Sequence, residues 1–293
     1  MKVMGEQKRY DVMAIDLGAN LFTDEVVRMR PTWHRQFYTD KFGVRTDTLK
    51  GVSLEEMIGK MDRAGIEIAL LIACKVGRLG LPQTWHLPYD VVARAVNKYP
   101  DRFRGLAGID PTEGMKGVRQ LEHGIKNLGF VGAHLYPHWF GLAPDAAQYY
   151  PFYAKCVELD VPIEMQVGHC LIYSSEYPLR SVGRPITLDT VACDFPELKL
   201  IGIHIGYPWT EEMISVAWKH RNVYIGSDAY APRHWPESFV HFINTWGQDK
   251  VIFGSDFPLL EFERLREEVE ELKLRPESKA KFLHANARRV FKL

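Results

Sequence analysis

Two segments each carry an apolar run to its end and there present a residue able to do chemistry. VIFGSDFP (251–258) delivers Asp256, and LKLIGIHIGYP (198–208) delivers His204. A β/α barrel needs this pattern at its active rim, where chemistry sits on strand ends and the first loop residues. His134 closes the run FVGAHL, and Gln166 and His169 lie at the end of PIEMQVGH. Imidazoles and a carboxylate together can bind zinc tetrahedrally and leave one position for water. The ion would lower the pKa of that water to about 7 and polarise a carbonyl. The expected metal ligands are therefore His134, His169, His204 and Asp256, with His169, His204 and Asp256 as the catalytic groups. An isolated histidine is more often a surface or hydrogen-bonded residue. Ligand-type groups on successive strand ends argue for one shared site.

The elements that must position these groups alternate along the chain. Strands are expected at 10–17, 66–73, 103–109, 130–135, 162–167, 200–205, 223–225 and 251–254, with helices between them. The run 66–73 (IEIALLIA) is almost wholly apolar, as a strand covered on both faces should be. Ser53-Leu54-Glu55-Glu56 has the spacing of a capping box and opens a helix. Such an alternation predicts an α/β fold, a (β/α)8 TIM-type barrel, as a single domain over residues 1–293. A doubly wound open sheet would want a glycine-rich phosphate loop after its first strand. Gly18-Ala19-Asn20 is not one. The stretch 22–51, with Trp33, His34, Phe37 and Tyr38, reads as an inserted loop after strand one, of the length usual for lids.

Lysine plus arginine and aspartate plus glutamate number 37 each, so formal charge cancels. That balance argues against nucleic acid or an anionic membrane surface as the main partner and leaves a small-molecule substrate. No apolar run approaches the roughly 20 residues that cross a bilayer. The opening MKVMGEQKRYD lacks the apolar core of a secretory signal. The four cysteines form no C-x-x-C pair and read as reduced thiols of a cytoplasmic protein.

Aromatic residues crowd the expected rim: Trp33, Tyr136, Trp139, Tyr173, Tyr207, Trp209, Tyr230 and Trp235. They suit a planar, partly apolar substrate, though many must simply pack. Arg184 and Arg233 lie in loops where either could grip a carboxylate or phosphate with a bidentate fork. His138 could support the ligands or donate a proton. The substrate-binding set expected is Asn20, His138, Trp139, Gln166, Arg184 and Tyr207. The charged stretch 261–273 (EFERLREEVEELK) reads as a solvated helix face.

Ile201–Trp209 (IGIHIGYPW), KHRNVYIGSDAY (219–230), DKVIFGSDFP (249–258) and LHANARRVF (283–291) together resemble the amidohydrolase superfamily over nearly the whole chain. The similarity is to the branch with aminocarboxymuconate-semialdehyde decarboxylase, aromatic-acid decarboxylases and related hydrolases. The resemblance implies that His204 and Asp256 are metal ligands, that Asp256 also accepts a proton, and that two chains pair as a homodimer. The family's H-x-H or E-x-H at the end of strand one reads Gly18 and Asn20 here, its strand-five histidine reads Gln166, and its strand-four lysine reads His134. Within this branch, Q-V-G-H, G-R-P-I and H-I-G-x-P-W resemble hydrolases of aryl β-ketoacyl thioesters. The resulting expectation is a metal-dependent hydrolase that attacks a carbonyl with metal-activated water. Aromatic-acid decarboxylation is the alternative, and a metal-free hydrolase or non-catalytic binder is the third reading.

Overall fold

The computed structural model describes residues 10–172 and 178–293; Tyr173 lies outside them. Eight parallel strands form the barrel. They are β1 (Ala14–Ala19), β2 (Ile66–Ala73), β5 (Phe103–Gly108), β6 (Gly132–Leu135), β7 (Ile163–Gln166), β8 (Leu200–Ile203), β9 (Val223–Gly226) and β10 (Val251–Ile252). Two further strands, β3 (Lys75–Val76) and β4 (Trp85–His86), make a small antiparallel pair above β2 in the chain's return to the barrel. The neighbours run in sequence order, so each crossover moves one strand further round. The ring closes where Leu17 N donates to Phe253 O at 3.0 Å, Asp256 N to Gly18 O at 2.9 Å and Asn20 N to Phe257 O at 2.8 Å. That closure brings Asn20 from one end of the chain to Asp256 near the other.

The strands are buried almost throughout, because helices cover their outer faces and side chains fill the interior. The covering helices are α3 (Leu54–Ala64), α4 (Tyr89–Lys98), α5 (Gly114–Lys126), α6 (Tyr150–Glu158), α7 (Thr187–Asp194), α8 (Thr210–Lys219), α9 (Glu237–Asn244), α10 (Phe262–Glu271), α11 (Pro276–Ala280) and α12 (Asn286–Phe291). Helix α3 starts with the expected capping box: Glu56 N donates to Ser53 Oγ and Ser53 N to the Glu56 carboxylate. Helix α10 is less solvated than its charge suggests. It buries Phe262, Leu265 and Val269, and with them Arg266 and Glu268.

The segment after β1 differs from a plain loop. It holds α1 (Asp24–Met29), α2 (Thr32–Phe42) and a 3-10 turn at Thr48–Lys50. The aromatic residues explain α2. Trp33 and Phe37, like His34 and Tyr38, are four apart and pack ring against ring along the helix, the first pair edge to face and the second tilted. Pro31 precedes the helix, and Gly43 ends it at φ 62°, a left-handed turn suited to glycine. This helical insertion roofs the C-terminal mouth of the barrel. Among the described residues, no helix is long and apolar enough to cross a membrane. All four cysteines are free thiols.

Candidate active site

A hollow opens at the C-terminal mouth of the barrel. Its floor comes from strand ends: Asn20 after β1, Gln166 on β7, His204 after β8 and Asp256 after β10. Its walls and roof are aromatic, with Trp33, Phe37, Tyr38, Trp85, Tyr136, Trp139 and Tyr230 all facing it.

At the floor, His204 Nε2 lies 3.4 Å from Asp228 Oδ2 and 3.7 Å from Asp256 Oδ2. The three donors form one compact group. Asp228 sits after β9 and also accepts from His204 N at 3.0 Å through Oδ1. Asn20 Nδ2 donates to Asp256 Oδ1 at 2.7 Å and to Phe257 O at 3.1 Å. The backbone is held unusually here. His204 (φ 66°), Ile205 (φ 49°), Ala229 (φ 66°) and Asp256 (φ 53°) all take left-handed conformations that side-chain-bearing residues rarely adopt. Such strain persists only where the surroundings over-determine it, and it concentrates at functional sites.

Burial governs the electrostatics. It pushes the His204 imidazole down to about 3 and the Asp228 carboxyl up to about 7. Burial, reinforced by the charge of Asp228, also drives the Asp256 carboxyl well above the carboxylate range. Asp16, on β1 beneath the floor, is raised to about 7 by burial, although Gly18 N and both donors of Ser255 bind it. Among the described residues lining the hollow, Asp256 is the one acid and Arg30 the one lysine or arginine.

The donor set fits a divalent ion. Ligands on a tetrahedral ion with bonds of about 2.1 Å stand about 3.4 Å apart. The two separations from His204 Nε2 are close to that and longer than a good hydrogen bond. Gln166 supports the fit. Its amide touches His204 Nδ1 at 3.2 Å, and its Oε1 has no hydrogen-bond partner. With the amide turned so that Oε1 accepts from Nδ1–H, the Nε2 lone pair is left facing the two carboxylates.

Arg30 comes from the inserted segment. It lies over the rings of Phe22 and Trp85, 4.4 and 4.7 Å from their centroids. It donates to His34 Nε2 at 2.7 Å, to Leu21 O at 3.2 Å and to Asn20 Oδ1 at 3.5 Å. Its Nε is buried without a partner. A half-buried guanidinium lying over two rings can receive a planar anion through its fork.

The remaining expected site residues fall in different places. His134 is fully buried with neither ring nitrogen hydrogen-bonded, its ring against Tyr136, outside the compact donor group. Burial and the nearby His204 press it down to about 3. His169 lines the hollow from an exposed rim position and is likewise outside the donor group. Gly168 just before it takes a left-handed φ of 96°. His138 lies behind the wall, where its Nδ1 accepts from Val182 N at 3.0 Å. Trp139 does face the hollow. Tyr207 is largely exposed and stacks on Tyr230 outside it. Arg184 is half exposed, paired with Glu212 and lying over Trp209. Arg233 is paired with Glu268. Both guanidinia are thus occupied at the surface. Sequence reasoning missed Arg30 and Asp228. Asp228 carried a signal, because IGSDAY repeats the Gly-Ser-Asp of FGSDFP at the neighbouring strand end.

A family model described as Amidohydrolase matches residues 84–293. The gamma-resorcylate decarboxylase of a Polaromonas species is 25% identical over 284 residues, covering 80% of this chain and 85% of that protein. An uncharacterised TIM-barrel protein from Bordetella bronchiseptica superposes with a TM-score of 0.77 at 26% identity, over 96% of this chain and 99% of that one. The 5-carboxyvanillate decarboxylase of Novosphingobium aromaticivorans, solved with manganese and a methoxy-nitro-hydroxybenzoic acid, gives 0.74 at 20% identity, over 99% and 97%. These findings overturn the hydrolase expectation. The two relatives named above that span the chain are decarboxylases by name, and the 5-carboxyvanillate decarboxylase was solved with manganese rather than zinc.

Proposed function

The chain belongs to the amidohydrolase family, and from that premise we propose that it is a decarboxylase of small hydroxylated aromatic acids working with a divalent metal ion. The observation that carries the reading is the pairing of Arg30 with the His204–Asp228–Asp256 group in one aromatic-walled hollow. Arg30, His204 and Asp256 line the same hollow, and Asp228 lies beside His204.

His204 Nε2, Asp228 Oδ2 and Asp256 Oδ2 would hold the ion, and Asn20 would steady Asp256 through its amide. When bound, the ion supplies a positive point for the substrate's carboxylate and neighbouring hydroxyl oxygens. Arg30 grips a carboxylate with its fork and sets the ring in the plane between Trp139, Tyr136 and Tyr230. Asp256 accepts the proton of the ring hydroxyl. It then passes that proton to the ring carbon as the bond to the carboxylate breaks and CO2 leaves. The hydroxyl regains a proton from solvent. The aromatic walls exclude water while charge builds on the ring.

The test is a panel of hydroxybenzoic acids, some with a second carboxylate or a methoxy group, incubated with the manganese-loaded protein. The expected result is CO2 released in step with a decarboxylated phenol for at least one acid. Turnover of aryl β-ketoacyl thioesters with none of the acids consumed would contradict the reading.

A further inference from the structure

Arg30 differs from Arg184 and Arg233 in what holds it. Arg184 is paired with the Glu212 carboxylate and Arg233 with that of Glu268. Arg30 rests, among the described residues, on uncharged groups: His34 Nε2 at 2.7 Å, Leu21 O at 3.2 Å, Asn20 Oδ1 at 3.5 Å and the rings of Phe22 and Trp85. The contact with His34 is the shortest of these. A guanidinium only donates, so His34 Nε2 must accept, and an imidazole can accept only in its neutral form. Burial, and after it the charge of Arg30, hold His34 well below the usual imidazole range, in agreement with that geometry. The ring is itself fixed. It is buried, lies 4.9 Å from the Trp33 ring and 4.6 Å from that of Tyr38, and meets Trp85 edge to face. His34 thus clips Arg30, the C-cap of α1, to the first turn of α2 across Pro31.

We propose that His34 is the positioning residue of Arg30: it fixes the guanidinium at the hollow without cancelling its charge, so that a substrate carboxylate meets an undiminished cation. The inference rests on the reading of Arg30 as the carboxylate receptor and adds the group that keeps it one. A carboxylate in place of His34 would hold the guanidinium as firmly but would neutralise it, as Glu212 does for Arg184. An imidazolium there would repel it. The neutral imidazole does neither. The charge left on Arg30 reaches the floor, where it opposes the rise of the Asp256 carboxyl. His34 lines the same hollow as Arg30 and Asp256. The rival account is packing alone, a ring among rings, for which any aromatic side chain would serve.

Benzoate affinity separates the two. Benzoate carries the ring and the carboxylate but no hydroxyl through which to react. Trp33, Trp85 and Trp139 line the hollow, so tryptophan fluorescence reads its occupancy in the manganese-loaded full chain. Arg30→Ala is expected to raise the dissociation constant about 30-fold or more. His34→Phe keeps a ring and removes the acceptor, and should raise it about fivefold or more. His34→Gln removes the ring but keeps an uncharged acceptor, and should recover most of that loss. His34→Glu should weaken binding towards the level of Arg30→Ala; the phenylalanine and glutamine variants carry the test if it does not fold. Wild-type affinity in His34→Phe with weakened binding in His34→Gln would reduce His34 to packing. That result would overturn the proposal, and a loss in Arg30→Ala would leave the receptor standing. Equal affinity in wild type and Arg30→Ala, or no benzoate bound by wild type, would overturn the receptor and the role of His34 together.

Discussion

Asp256→Asn is expected to lower kcat by about 10²–10⁴-fold, the usual worth of a positioned acid–base group. The substitution preserves the backbone and one hydrogen bond of the site. Asparagine tolerates the left-handed backbone that Asp256 adopts at φ 53°. Its side-chain oxygen can still accept from Asn20, whose amide is 2.7 Å away. The variant loses the capacity to carry a proton, the negative charge toward His204 and the Oδ2 donor that would hold the ion. The fold should therefore be retained, as judged by circular dichroism and thermal melting, while single-turnover CO2 release collapses. Activity within a few-fold of wild type would place the acid elsewhere in the hollow.

Arg30→Ala is expected to raise KM and to lower kcat/KM by about 30-fold or more. Removing one partner of a desolvated charge pair costs about 2–5 kcal/mol, and about 1.4 kcal/mol is a factor of ten. Arg30→Lys should recover part of the loss, because the charge remains while the flat fork that lies over Phe22 and Trp85 does not. Arg184→Ala is the control. Arg184 is already paired with Glu212 at the surface, so kinetic constants close to wild type are expected. Steady-state kinetics on the acid found active in the panel reads all three. An unchanged KM in Arg30→Ala would remove Arg30 from the substrate contacts.

Much of the barrel was legible because its signals are local. An apolar run such as IEIALLIA and a capping box such as Ser53–Glu56 state their structure in a few residues, and both elements form where expected. The placement of His204 and Asp256 at strand ends lining the hollow was legible for the same reason: each terminates such a run. What escaped lies where chemistry depends on distant packing. Arg30 sits in a segment that reads as a loop, and only the folding back of α1 and α2 over the mouth brings its guanidinium to Asn20. For His169, spacing from Gln166 suggested a ligand; the structure places it at an exposed rim position, outside the compact donor group. Asp228 was readable by analogy with the second Gly-Ser-Asp, which ends the next strand.

The position of manganese in a crystal of the metal-loaded protein, located by its anomalous scattering, tests the centre directly. The expected result is a strong peak at the barrel mouth within bonding distance of His204 Nε2, Asp228 and Asp256. A peak found only at a surface group such as Asp189–Cys193–His220, with those three side chains left unligated, would contradict it.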